Sequence, residues 1–444
     1  MTNHSNNRDT LNPRIRGMLD SAVRLHRQGR LGQARRVYLK VLKKAPRCAT
    51  AHHMVGLIDF HAGQAEPGIK RLQKAVALAP DEVALRHNLG NMLHELGRVP
   101  EAEEEFRAAL RLDSEHAEAR NGLGICLKDS GKLDEAIDEY RKAIAHRPAG
   151  AGYHRNLGQT LKLKHAWGEA EEAFRKVIEL LPDDADAHRN LGVVLRHQGR
   201  FAEAKESFMR LVELEPDNPV ASHFVAACDP EHSPDRAGSD YVRQVFDEFA
   251  ETFETHLGQL GYDAPQWIGR VVQELVPDSG PTLAILDMGC GTGLCGSFLK
   301  PGAKHLVGVD LSPGMLKQAE AKGVYDDLVE SDLIDYLRGH PGQFDVLVAA
   351  DTLNYLGDLD PVFEAASGAL TNSGALVFTV EKDPDQTSEP YRLFPHGRFG
   401  HNESYVNETL ERHGFSVVTS EERVLRTEAD APVFGLFLVA RKAD

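Results

Sequence analysis

Between Ile15 and Asn218, small and bulky apolar positions recur every 34 residues, six times over, with no insertion or deletion. Within each copy, position eight is Ala22, Gly56, Gly90, Gly124, Gly158 and Gly192. Position twenty is Ala34, Gly68, Ala102, Ala136, Ala170 and Ala204. Position twenty-four is Tyr38, Leu72, Phe106, Tyr140, Phe174 and Phe208. Position thirty-two is Pro46, Pro80, Ser114, Pro148, Pro182 and Pro216. Each position has a physical job. Two small residues let a pair of antiparallel helices approach closely, and the bulky one fills the hole between that pair and the next. Proline stops the second helix. Gly29, Gly63, Gly97, Gly131 and Gly199 stand where the first helix turns into the second. The pattern predicts an all-α solenoid over residues 15–228, with Pro219 to Cys228 as a capping helix over the last apolar face.

The pattern changes after Cys228. Asp229 to Ser239 holds two prolines and a glycine and reads as a linker. Helical spacing follows at about 240–258 and 264–276. Short apolar runs then alternate with helical ones. Strands are expected at Thr282–Met288, His305–Asp310, Asp345–Ala349 and Ala375–Val380, and a third strand ends at Glu330. Helices are expected from Leu294, at Gly314–Lys322, Leu359–Leu370 and Val406–His413. Phe415–Arg426 and Val433–Ala440 close the chain as strands with no helix between them. Alternation of this kind predicts a doubly wound, Rossmann-like α/β sheet over residues 240–444, with an antiparallel hairpin at its edge.

Charge separates the same two halves. Residues 1–218 carry a balance of +4 and the remainder −20, within a total of −16. Nucleic-acid binding depends on neutralising phosphates with Lys and Arg, so the acidic half disfavours that polyanion. Residues 1–50 hold 12 Lys and Arg against two Asp, a basic face suited to an acidic partner or simply to solvent. No apolar run approaches the roughly 20 residues of a membrane helix. The polar start, Met1 to Thr10, lacks a signal-peptide core. Cys48, Cys126, Cys228, Cys290 and Cys295 are scattered, with no metal-ligand spacing. A cytoplasmic protein with no metal, no nucleic-acid partner and no membrane contact is expected.

The chemistry concentrates at the carboxyl ends of the expected strands. The first runs Asp287-Met288-Gly289-Cys290-Gly291-Thr292-Gly293 into a helix. Glycines between a buried strand and a helix let a flat ligand lie against the backbone. The dinucleotide fingerprint would need a third glycine where Leu294 stands, and no P-loop lysine follows. Asp310-Leu311 ends the second strand, 21 residues after Gly289, where a carboxylate can accept both hydroxyls of a ribose. Asp332-Leu333 follows the third strand, and Asp351-Thr352-Leu353-Asn354-Tyr355 follows the fourth.

The repeats resemble the tetratricopeptide repeat. The four strand-end elements, in this order, resemble the class I S-adenosylmethionine-dependent methyltransferases over residues 240–444. That resemblance implies S-adenosylmethionine as cofactor. Asp287, Gly289, Cys290, Gly291 and Gly293 would line it, Asp310 and Leu311 would hold its ribose, Asp332 and Leu333 would frame its adenine, and Asp351 would stand at the edge of the site. Phe246, Phe249 and Phe253 share a helical face like that of the quinone-biosynthesis methyltransferases. They would wall an acceptor pocket with Asn354 and Tyr355, or pack in the core. His401 is the candidate general base, with Tyr405 as the alternative. The motifs of exocyclic-amine and cytosine-C5 DNA methyltransferases are absent.

Asn88, Asn156 and Asn190 occupy the sixth repeat position, with Asn121 one residue off. In a protein O-glycosyltransferase with such repeats, asparagines there hold a peptide backbone. The ladder here is interrupted by Asp20, Met54 and Gly122. These features imply a methyltransferase acting on an O or N nucleophile of a protein, or protein-bound group, recruited by the repeats. A small-molecule methyltransferase with repeats for assembly and a non-catalytic, cofactor-binding scaffold are the alternatives.

Overall fold

The computed structural model describes residues 11–229, 233–276, 280–385, 389–428 and 431–443. The polar start Met1–Thr10 and Pro230–His232 of the expected linker lie outside the described residues. The chain divides into two compact units, Met1–Val194 and Leu195–Asp444.

The repeats form helix pairs α1 (Pro13–Arg27) and α2 (Leu31–Lys44), α3 (Ala49–His61) and α4 (Ala65–Leu78), α5 (Val83–Glu95) and α6 (Val99–Leu112). They continue with α7 (Ala117–Asp129) and α8 (Leu133–His146), α9 (Ala151–Leu163) and α10 (Trp167–Leu180), α11 (Ala185–His197) and α12 (Phe201–Leu214), and close with α13 (Pro219–Ala227). In the first unit the small-and-bulky code is literal. Phe106, 1% exposed, lies so close to Gly90 of its own repeat that an added Cβ would meet its ring at 2.8 Å. A Cβ on Gly122 of the next repeat would meet the same ring at 2.5 Å. Gly124 against Tyr140 and Gly158 against Phe174 repeat the contact at 2.6 and 2.9 Å. Each inter-helix turn takes a left-handed residue. Gly29, Gly63, Gly97 and Gly131 have φ of 72–80°, and in the fifth repeat His165 adopts φ 57° without glycine's freedom.

In the second unit, α14 (Ser239–Phe249), α15 (Phe253–Gln259) and α16 (Ala264–Leu275) precede the sheet. The expected helix at 240–258 is thus two helices, interrupted after Phe249. The sheet elements are β1 (Leu283–Met288), α17 (Gly296–Leu299), β2 (Ala303–Asp310), α18 (Pro313–Lys322), β3 (Asp327–Glu330), α19 (Leu333–Gly339) and β4 (Phe344–Ala349). After them come α20 (Asp360–Ala369), β5 (Leu370–Lys382), β6 (Tyr391–Leu393), β7 (Phe399–His401), α21 (Glu403–Arg412), β8 (Phe415–Glu428) and β9 (Ala431–Lys442). The parallel order is β3-β2-β1-β4-β5. β9 lies antiparallel to β5 with β8 outside it, the expected edge hairpin. The small β6–β7 hairpin on the end of β5 was not legible in the pattern.

Both faces of the sheet are covered. Ile285, Val346 and Val348 face Trp267 and Ile268 of α16. Their neighbours Leu286, Leu347 and Ala349 face Phe363 of α20 and Leu410 of α21. Apolar residues therefore stand at successive positions in β1 (Leu283 to Leu286) and β4 (Val346 to Ala349), as in buried parallel strands.

Within this unit α13 is held against the β6–β7 hairpin. The His223 ring stacks on Tyr241 at 3.7 Å, its Nε2 is 2.9 Å from the Gly397 carbonyl, and Phe224 stacks on Phe208 at 5.3 Å. Residues 233–239 form a strap rather than a free spacer. The Asp235 carbonyl accepts from the N–H groups of Gly357 and Asp358, both at 2.8 Å, and Ala237 N donates to Tyr355 O at 2.8 Å. Among the described residues no helix is long and apolar enough to cross a membrane.

Candidate active site

β1 ends in a turn whose three glycines, Gly289, Gly291 and Gly293, have φ of 66°, 55° and 83°. L side chains rarely adopt that conformation, so the glycine spacing follows from the backbone. Space then separates the three. A Cβ at Gly289 would strike Thr352 at 2.3 Å, and one at Gly293 would strike Tyr325 at 2.9 Å. A Cβ at Gly291 would meet nothing within 4 Å. Gly291 therefore presents bare backbone to open space.

Asp310, at the tip of β2, ties this turn to its own strand. Oδ2 accepts from Gly291 N at 2.8 Å and Oδ1 from Ser312 N at 2.9 Å. Each oxygen keeps a lone pair for another donor. Burial pushes this carboxyl up, and the N–H groups of Ser312, Gly291 and Leu311 pull against it. Behind the turn, Asp287 is 1% exposed and accepts from the Tyr325 hydroxyl at 2.7 Å. Burial raises its carboxyl to about 7, against the Tyr325 hydrogen bond, and Asp310 adds repulsion. The Cys290 thiol is buried and pushed well up, so it packs rather than reacts. Leu311 accepts from Arg243 Nε through its carbonyl at 3.2 Å.

Asp332 caps α19. Its Oδ1 accepts from Ile334 N at 2.9 Å and Asp335 N at 3.4 Å. Its Oδ2 pairs with Arg236 Nη2 of the strap at 2.5 Å. Leu333 packs on the core of that face. The strap partner was invisible in the sequence, since 96 residues separate the pair.

Asp351 sits in another setting. Its φ is 60°, its N–H donates to Thr379 Oγ1, and its carboxylate pairs with Arg426 Nη1 at 2.8 Å. Arg426, 2% exposed on β8, also pairs with Glu428 at 2.6 Å and with Glu381 at the end of β5. Arg398 and His396 of the hairpin complete the cluster, His396 Nε2 lying 2.9 Å from Glu381. Burial works to raise the Glu381 carboxyl, but His396, Arg398 and Arg426 outweigh it and hold it well below the usual range. Arg426 closes the expected strand Phe415–Arg426, and nothing in that pattern marked the network.

Four expectations require correction. His401 is fully buried, and its Nε2 donates to the Leu356 carbonyl at 2.9 Å. Burial lowers its pKa to about 4, so it is a neutral ring holding the loop after β4 and not a base open to substrate. Tyr405 donates to Asp358 at 2.9 Å and accepts from Leu359 N at 2.8 Å, anchoring the start of α20. Asn354 is fully buried, bonded to Asp351 and to Glu381 N, so it braces the strand ends rather than lining a pocket. Phe249 is 46% exposed and beside His256, away from the other two phenylalanines, because the helix breaks after it. Phe246 does meet Phe253 at 5.9 Å and Tyr355 at 5.4 Å, an aromatic group over the end of β4.

In the repeats, Asn88 Nδ2 lies 2.8 Å from His53 Nε2, Asn156 donates to Asn121 at 2.8 Å, and Asn190 accepts from Lys162 at 2.6 Å. Each of these bonds reaches from one repeat to the one before it, so the asparagine side chains join neighbouring repeats. All three asparagines remain partly exposed.

Comparison with known proteins agrees with this geometry. A methyltransferase domain model matches residues 286–376, and a tetratricopeptide repeat model matches residues 19–83, 62–116, 88–154 and 165–219. The human methyltransferase-like protein 27 is 35% identical over 111 residues, 24% of this chain and 45% of that protein. The 18S rRNA (guanine-N(7))-methyltransferase of Bos taurus is 35% identical over 89 residues, 20% of this chain and 31% of that protein. The putative methyltransferase YqeM of Bacillus subtilis is 30% identical over 143 residues, 31% of this chain and 55% of that one. The chain thus spans less than two thirds of each relative's length. Among solved structures, pilF of Pseudomonas aeruginosa is 17% identical with a TM-score of 0.44, covering 49% of this chain and 97% of that one. MamA from Desulfovibrio magneticus is 22% identical with a TM-score of 0.36, covering 38% and 96%. The open edge at Gly291 and the spare lone pairs of Asp310 fit the adenosyl group of S-adenosylmethionine, the cofactor that a methyltransferase domain implies. The chain joins a solenoid of tetratricopeptide repeats to a Rossmann-like methyltransferase domain.

Proposed function

We propose that this protein transfers a methyl group from S-adenosylmethionine to an oxygen or nitrogen of a protein, or protein-bound group, recruited by its repeats. In this reading the solenoid is residues 15–228, the strap-forming linker 229–239 and the catalytic domain 240–444. The observation that carries it is Asp310, bonded to Gly291, the glycine of the β1 turn whose open side faces free space. The bound cofactor would supply a methyl group on a sulfonium, which is a good leaving group. The chain's task is then to bind and align. Gly291 offers backbone, Asp310 accepts the ribose hydroxyls, Asp332 and Leu333 frame the adenine, and Asp287 braces the turn from behind through the Tyr325 hydroxyl. Phe246, Phe253 and Tyr355 exclude water on the acceptor side, beside the Asp351–Arg426–Glu381 network. Holding reactants in line is the main catalytic contribution available here. No side chain is assigned as base, since His401 and Tyr405 are committed elsewhere.

The bovine relative's name refers to rRNA, yet the −20 balance of residues 219–444 argues against a polyanion here. A protein partner is supported by the part-exposed asparagine ladder, because an amide both donates to and accepts from an extended backbone. The test uses the full-length protein with methyl-tritiated S-adenosylmethionine and the proteins it captures from its own cell extract. Label transferred to a captured protein, and lost on Asp310→Ala, supports the reading. Label found only on small molecules moves it to the alternative acceptor class.

A further inference from the structure

The acid expected to meet the adenine amino group already holds a cation, Arg236. Arg236 is fixed by its main chain at the loop after β4. It forms an isolated antiparallel bridge with Leu356, flanked by the Asp235 and Ala237 hydrogen bonds. Its side chain ends on Asp332, just beyond β3. Between β4 and β3 in the sheet lie β1 and β2, whose ends carry the glycine turn and Asp310. Arg236 therefore links the loop after β4, which holds its main chain, to the acid beyond β3, which holds its side chain.

The hydrogen-bond capacity of Asp332 sharpens this. A carboxylate oxygen accepts about two donors. Oδ1 is filled by Ile334 N and Asp335 N, which orient the group. Oδ2 is the oxygen left for a ligand, and Arg236 already bonds to it, so a ligand's amino group would share it with a cation. The pair is partly exposed, with side-chain exposures of 39% and 16%, so water and ligands reach it.

Resting on the cofactor reading above, we propose that Arg236 is a latch. Its ion pair with Asp332 narrows the adenine end of the crevice and competes with an adenosyl amino group for Asp332 Oδ2. Arg236 thereby sets cofactor affinity from a segment that lies outside the methyltransferase fold.

The test is calorimetry of the full-length protein with S-adenosylhomocysteine. An ion pair of this exposure, once removed, no longer competes, so Arg236→Ala is expected to bind about fivefold more tightly. Salt gives a second readout that needs no variant. Because screening weakens the latch, raising the salt from low to high concentration should tighten binding by the wild type and leave Arg236→Ala unchanged. Unchanged or weaker binding by Arg236→Ala overturns the latch while leaving the cofactor site standing. Tightening that is absent with salt in the wild type also overturns it. A wild type that binds no S-adenosylhomocysteine sinks both the latch and the cofactor reading.

Discussion

Asp287→Asn should stabilise the second unit above neutral pH and leave it unchanged in acid. The carboxyl is 1% exposed, with the Tyr325 hydroxyl as a hydrogen-bond donor and Asp310 as a repelling neighbour. Burial lifts its pKa from 3.8 to about 7 in the fold. The sign follows from proton binding. Between these values the folded protein keeps a proton that the unfolded chain has lost, so stability falls as pH rises through that window. Three pH units at about 1.4 kcal/mol each give up to about 4 kcal/mol lost by pH 7 and above. Asparagine has the same shape, accepts from Tyr325 and never ionises. Thermal unfolding of wild type and variant, followed from pH 4 to pH 8, should show no difference at the acid end. Toward neutrality the variant's melting point should gain about 5–15 °C over the wild type, given the size of the unit. A gain that does not change with pH, or a loss of stability at pH 8, would refute the reasoning.

Other expectations follow from the packing. His165→Gly should raise the stability of the solenoid by about 1 kcal/mol, since His165 alone among the described inter-helix turns of the first unit holds positive φ without glycine; denaturant titration reads it. Arg426→Ala should cost about 3–5 kcal/mol in thermal unfolding, because Asp351, Glu381 and Glu428 lose their shared partner and Glu381 is 4% exposed. His401→Ala should lower stability by about 2 kcal/mol, through the orphaned Leu356 carbonyl, yet leave cofactor affinity within about twofold. A large loss of affinity there would restore His401 to the site.

The repeats were readable because each helix pair is fixed by contacts inside one period. Gly90 and Phe106 are two recurring positions of one copy, and the structure puts them in contact. The glycine turn was readable for the same reason: strand, turn and helix are local, and φ near 60° leaves little choice of residue. What was not readable depends on distant partners. His401 looked available because it follows β5 in a polar stretch, but the three-residue strands β6 and β7 fold it under the sheet edge. Runs that short carry too little alternation to be recognised. Arg236 gave no sign of its role, because its partner is 96 residues away. The break between α14 and α15 falls at Ala250-Glu251-Thr252, where no proline or glycine marks it.

The central claim is that the crevice at β1 and β2 holds an adenosyl ligand through Asp310. Calorimetry with S-adenosylhomocysteine on wild type, Asp310→Asn and Asp310→Ala tests it directly. The account expects one site per chain in the wild type and a loss of at least about 100-fold in Asp310→Ala, as two hydrogen bonds to a charged acceptor disappear. Asparagine, keeping one acceptor oxygen, should fall between. Equal affinity across the three proteins, or no binding by the wild type, would contradict it.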